Sequence, residues 1–198
     1  MSPIGKIVKS NSHTDYVCQI YTVGEIADPP KPVDYAFSTF VSIPMNEGGS
    51  LVGLIYDTVL LNPDFGRLGP RLSSEVDLAI FSPDYLNEKL TLVGIAAVGT
   101  MKETGDVLQG IPPVTVNSDT LVYKMSDDET RAFHAGDPGL NLSYASLLLA
   151  QGSPLSPYLL RQVIDRLIEL FPSNTAMLSV LQSDLIWKSQ VSPHGGLQ

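Results

Sequence analysis

The residues of this chain whose types could do chemistry are three histidines, one cysteine and one dense run of acids. His13, His134 and His194 have no second His or Cys at the spacing a metal site uses. His13 falls in a turn-forming stretch, His134 near the end of an expected helix and His194 in the tail, so solvated or capping roles account for them. Cys18 is the only cysteine, which excludes an intramolecular disulfide framework. It stands in the strand-like YVCQIY and reads as a small buried hydrophobe. Asp127, Asp128 and Glu129 follow Ser126 at the start of a helical pattern, where a helix N-terminus favours negative charge. No G-x-S-x-G elbow supports a serine nucleophile. A phosphate loop needs G-x-x-x-x-G-K-[ST], whose backbone amides and lysine cradle phosphate. Lys9-Ser10 and Lys188-Ser189 place a Lys before Ser, and neither Lys follows a Gly. The residues therefore nominate no catalytic group, no metal site and no cofactor.

Composition narrows the class further. A chain of 198 residues with 43% hydrophobic and 17% charged residues can bury a substantial core without disulfides or metals. The formal net charge of −9 is spread along the chain. Nucleic-acid binding relies on cationic side chains that neutralise phosphates, so this balance argues against direct nucleic-acid or anionic-membrane contact. No apolar stretch approaches the roughly 20 residues of a membrane span. The N-terminal MSPIGKIVKS lacks the apolar core of a signal peptide. The expectation is a soluble, cytoplasmic protein.

The elements that would position any site are β-strands first and helices second. IGKIVK (4–9) and DYVCQIYTV (from Asp15) alternate apolar and polar side chains, the period of half-buried strands. SNSHTD between them reads as a turn. ADPPKPVD (27–34) reads as an extended, unpaired connection. FSTFVSIP (37–44) is a strand stopped by Pro44, and NEGGS is a hairpin loop whose two glycines can take positive φ. Two apolar runs follow, LVGLIYDTVLL from Leu51 and LVGIAAVG from Leu92. A glycine inside such a run marks a sharp bend or a close backbone approach. The flanks of the two copies do not match, so they read as two curvature points of one barrel, not as a tandem repeat. TLVYKM (120–125) is the last strand.

The pattern changes at residue 126. Ser126-Asp127-Asp128-Glu129 is a capping box that opens a short helix through about Phe133. SYASLLLAQ (143–151) is a second helical piece, and Ser156-Pro157 is expected to cap a third over 157–171. Its Leu160, Val163, Ile164, Leu167 and Phe171 lie at helical spacing, as do Met177, Leu178, Leu181, Leu185 and Ile186 in a fourth over 174–188. This helical face could pack on the barrel or dock to a partner. The chain thus divides into a small closed or near-closed β-barrel (1–125), a helical appendage (126–191) and a flexible tail (192–198).

Residues 1–125 resemble the HAS-barrel, the small β-barrel shared by HerA-type ATPases and the catalytic subunits of ATP synthase. The matching pieces are IGKIVKSNS, the pair YVCQIY and AFSTFVSIP, the glycine-kinked LVGLIYD, the LVGIAAVG strand and the closing GIPPV. The phosphate loop of the larger family members is missing, so ATP hydrolysis is not carried over. The resemblance implies an assembly role and supplies no catalytic residues.

Two segments are candidates for partner contact. Asn62–Arg71 presents Phe65, Arg67 and Arg71 on a long polar loop, and Phe81–Glu88 presents Tyr85, with Asn87, on a short helix capped by Ser82. Arg and aromatic side chains are enriched where proteins meet. The competing reading has Phe65 and Phe81 capping the barrel ends and Arg67 paired with an acid. The leading function is a non-catalytic interaction or assembly module that engages another protein or itself. The alternatives are a flavin- or nucleotide-binding protein or enzyme of split-barrel type, and an accessory of a DNA-processing machine that acts through protein contacts.

Overall fold

The computed structural model describes residues 2–62, 90–136 and 139–191, with side chains described as far as Leu185. Seven strands build the main sheet: β1 (Gly5–Ser12), β2 (Asp15–Ile20), β3 (Phe40–Pro44), β4 (Ser50–Leu61), β5 (Leu90–Met101), β6 (Val107–Gln109) and β7 (Leu121–Lys124). Their order is β2-β1-β7-β3-β4-β5-β6, and β2 also pairs with β5. That extra pairing closes six antiparallel strands into a barrel, and β6 pairs with the end of β5 beyond β2, on the side away from β4. The expected mix of β-barrel and helices is what the chain forms.

Strand boundaries differ from the sequence reading in several places, among them β2, which ends at Ile20 and not at Val23, and β6, which the sequence reading does not include. SNS (10–12) continues β1, and the turn is confined to His13-Thr14. β3 starts at Phe40, because Ser38 adopts φ of 69° and turns the chain before the ladder begins. ADPPKPVD is not wholly extended: a 3-10 turn forms over Pro32–Asp34, where Asp34 accepts a hydrogen bond from the Lys31 amide at 3.0 Å. The β3–β4 hairpin follows the reading, with Gly48 and Gly49 at φ of 90° and 74°.

Two cores lie back to back across the barrel wall. The interior holds Ile7, Tyr16, Cys18, Ile43, Leu51, Ile55, Val93, Ile95 and Val122. The outer face of β3, β4 and β5 contributes Phe40, Val52, Leu54, Ala96 and Val98 to a second cluster, roofed by helical residues. This explains why Leu51–Ile55 of β4 and Val93–Val98 of β5 read as continuous apolar runs and not as alternating ones. Strands covered on both faces have no solvent face to keep polar.

The two kinked strands are partners. β4 and β5 pair over their whole length, and their register shifts twice. One shift falls between Val52 and Gly53, where Val98 is the extra residue on β5; the other falls at Tyr56, opposite Gly94. Bulges of this kind increase twist and bend a ribbon, which is what barrel closure requires. The glycines serve different contacts. A Cβ at Gly53 would stand 2.3 Å from Ile95 Cγ2 inside the barrel, and one at Gly94 would stand 2.8 Å from the Tyr56 ring outside it.

The last barrel strand ends at Lys124, and the helices follow as α1 (Asp127–His134), α2 (Tyr144–Ala150), α3 (Ser156–Leu170) and α4 (Thr175–Val191). A two-residue ladder, β8 (Ala135–Gly136) with β9 (Gly139–Leu140), links α1 to α2. The α1 capping box forms as expected: Ser126 Oγ accepts from the Glu129 amide at 3.2 Å, and Glu129 Oε2 accepts from the Ser126 amide at 2.7 Å. Ser156 does not cap α3. Leu155 holds the cap position in a helical conformation, and the Ser156 amide already donates to Ser153 O at 3.0 Å, so the chain is turning before the serine is reached. On α3, Leu160, Val163, Ile164 and Leu167 are buried against the barrel, as their spacing predicts. On α4 the apolar set divides. Leu178 is buried and Leu185 packs on the same cluster, while Met177 and Leu181 face outward. Among the described residues no helix is long and apolar enough to cross a membrane.

Candidate functional site

The residues nominated for partner contact, Phe65, Arg67, Arg71, Tyr85 and Asn87, lie outside the described residues, as do Phe81, the short helix beginning at Ser82, His194 and the tail from residue 192. The frame fixes where that first segment starts and ends: Leu61 pairs with Leu90 at the tip of the β4–β5 ribbon.

The titratable groups that could act chemically are mostly bound into structure. Cys18 is buried in the barrel, and burial pushes its thiol up to about 12, which leaves it an inert core residue. His134 is not solvated. It is fully buried on the last turn of α1 among Phe40, Phe133 and Tyr144. Its Nδ1 lies 2.7 Å from Thr130 O, an acceptor only, so Nδ1 carries the proton. Nε2 then accepts from the Tyr144 hydroxyl at 2.8 Å. Burial lowers its pKa to about 4 against the counteracting hydrogen bond to Thr130 O, and burial raises that of Tyr144. Both rings stay neutral and satisfied. His13 Nε2 meets Pro112 O at 2.7 Å and so ties the β1–β2 turn to the long β6–β7 connection. Each acid of the 127–129 run has a structural partner. Glu129 completes the cap, Asp128 pairs with Arg131 at 2.7 Å, and Asp127 pairs with Arg166 of α3. Among the described residues no group of His, Cys, Asp and Glu could hold a metal ion.

One amide fastens the helical segment to the sheet. Gln109 at the end of β6 donates through Nε2 to Phe133 O at 2.9 Å and to Asn141 O at 3.0 Å, and its Oε1 accepts from the Ser143 amide at 2.8 Å. Nothing in its neighbourhood of sequence marks it, because its partners are 24 to 34 residues away. Gln109→Ala is expected to destabilise the chain by about 1–3 kcal/mol, since it removes the donor from two part-buried carbonyls, Phe133 O and Asn141 O. Urea unfolding of the variant beside the parent protein checks this.

Two of the concavities formed by the described residues border β5 and place a buried polar side chain in their walls. The first is a cleft of about 310 Å³ where β2, β4 and β5 meet α2 and α3. Tyr56, the bulge residue, lies over Gly94 and donates to Asp15 Oδ1 at 2.7 Å, while Asp15 Oδ2 accepts from Asn11 Nδ2 at 3.1 Å. Burial first, and the Asp15 carboxylate second, push the Tyr56 phenol well above its ordinary range, so it acts as a fixed donor. Ser156 and Gln151 line the opposite wall. The second concavity, about 570 Å³, is the barrel mouth between the β3–β4 hairpin, the β5–β6 turn and the β6–β7 connection. Thr100 faces into it from the inward register: it is opposite Leu51, an interior residue. The sequence hides this position. Period two from Val93, Ile95 and Ala97 would point residue 100 outward, and the bulge at Val98 reverses it.

No curated protein matches the chain. The model of a domain of unknown function, DUF8166, matches residues 2–195, which takes in the barrel, the helices and both concavities, and the chain belongs to that family.

Proposed function

We propose that the chain is a non-catalytic interaction or assembly module, a HAS-like barrel whose helices engage another protein or a second copy of the chain. The observation that carries this is α4. Its buried face is already spent on the barrel-side cluster through Leu178, yet Met177, Val180 and Leu181, at i, i+3 and i+4, form a second apolar stripe exposed to solvent. Val180 is 69% exposed. A helix apolar on two faces is the pattern of an element with two partners, and contiguous exposed apolar surface marks interaction sites. A closed antiparallel barrel is compatible with the HAS-barrel resemblance, in which the barrel serves assembly. Val59, Leu60 and Leu61, exposed where β4 runs beyond the barrel, add apolar surface at its far end.

Size-exclusion chromatography with light scattering, together with pull-down from the chain's own cells, tests the reading. Association is expected, and Val180→Glu is expected to abolish it while leaving the melting temperature unchanged, since the side chain is exposed. A strict monomer with no recovered partner, or association indifferent to the substitution, overturns it.

A further inference from the structure

The barrel mouth holds a polar group that the fold itself does not use. Thr100 is 6% exposed, and among the described residues its hydroxyl has no hydrogen-bond partner. Buried hydroxyls are normally satisfied, and one left alone asks for a partner that the protein does not supply. Thr100 lines the mouth cavity, whose floor is apolar: Met45 and Val116 pack on the interior cluster there. Amide and hydroxyl side chains of Asn46, Thr115 and Asn117 stand around that floor. An apolar floor with a few convergent polar groups and a volume within about 300–1,000 Å³ is the usual make-up of a small-molecule site.

The walls are held in place. The Tyr16 hydroxyl, buried within the barrel, donates to His13 O at 3.1 Å, and His13 holds Pro112 at the start of the connection that forms one wall. On the other side the Lys102 amide donates to Asp106 O at 2.9 Å and closes the β5–β6 turn. Charge narrows the ligand. Among the described residues Lys102 is the one cation lining the cavity, against Glu47 and Glu103. An excess of carboxylates at a rim repels anions, which turns the site away from phosphates and carboxylates.

We infer that the barrel mouth binds a small uncharged ring compound, its ring on the Met45–Val116 floor and a hydrogen-bonding edge against the Thr100 hydroxyl. Neither the interaction surface of α4 nor the assembly reading is needed for this, because the mouth lies on a different part of the molecule.

The test is an amide chemical-shift titration of the full chain with nicotinamide and adenosine, each beside its anionic counterpart, nicotinate or AMP. A neutral probe is expected to move the amides of Thr100, Lys102 and Val116 ahead of the rest. Thr100→Val is expected to weaken that binding by about tenfold, the worth of one hydrogen bond to a buried group. The same substitution removes an unpartnered hydroxyl and keeps the side-chain shape, so its melting temperature should equal or exceed that of the parent, which separates lost binding from lost fold. The inference is overturned if neither neutral probe perturbs the mouth, if binding survives Thr100→Val unchanged, or if the anionic probes bind more tightly.

Discussion

Gly53→Ala is expected to destabilise the protein by about 3 kcal/mol, the upper part of the range for overpacking a tight core. The added Cβ would stand 2.3 Å from Ile95 Cγ2 and 3.2 Å from Val41 Cγ2, and both neighbours are fully buried. Neither can turn aside. Ile and Val are branched at Cβ and stiff at χ1, and the interior they face has no solvent edge to move into. The backbone cannot relieve the contact either, because Gly53 sits in the longest ladder of the barrel, beside its register shift. Truncating the obstacle should restore part of the loss. In the double substitution Gly53→Ala with Ile95→Ala, the two effects are expected to be non-additive by about 1 kcal/mol or more, as for residues in contact. Additive losses, measured by urea unfolding of the four proteins, would show that the glycine is not there for this contact.

The second large effect is acid-dependent. His134 is neutral in the folded chain with its pKa lowered to about 4, whereas the unfolded chain titrates it near its ordinary value of about 6.5. As pH falls through that window the unfolded state takes up a proton that the folded state refuses. Stability must therefore fall with pH, and the linkage amounts to about 3 kcal/mol between the two values, flat below the lower one. The groups around the ring, Phe40, Phe133, Tyr144 and Thr130 O, carry no charge that could hold an imidazolium. His134→Gln should lower stability at neutral pH and flatten its slope between pH 6.5 and 4 relative to the parent. Carboxylates such as Asp34, whose pKa the Lys124 hydrogen bond lowers, contribute equally to both proteins and cancel in the comparison. An unchanged slope would show that the proton is accommodated elsewhere.

How much of this was legible in the sequence depended on whether the signal was local. The barrel and its helices could be read because period two in β1 and β2, the capping box at Ser126 and the heptad-like spacing of α3 are all properties of neighbouring residues. The two LVG strands could be placed as curvature points for the same reason. What could not be read is the identity of contacts made across the chain. His134 looks like a polar residue at a helix end; only the aromatic lid from β3 and α2 makes it a core residue. Thr100 looks like a strand residue on the solvent side until one bulge reverses its face. Ser156 has the composition of a cap, and a turn formed upstream leaves it without that task. α4 gives an apolar pattern without saying which half of it meets the barrel.

The closure of the barrel has a consequence for how the chain is made. The N-terminal strand completes the wall by pairing Gly5 with Val122 of β7. Until the ribosome has released the chain past Lys124, the free side of β1 and the free side of β3 have no β7 between them. Nascent chains thus carry two unpaired edges from the synthesis of β3 until that of β7, and such edges recruit other strands. Contacts that span nearly the whole barrel sequence also form slowly once they can form at all. The window in which this protein is most exposed to misassembly is therefore set by the position of one short strand, four residues long, at the end of the barrel sequence.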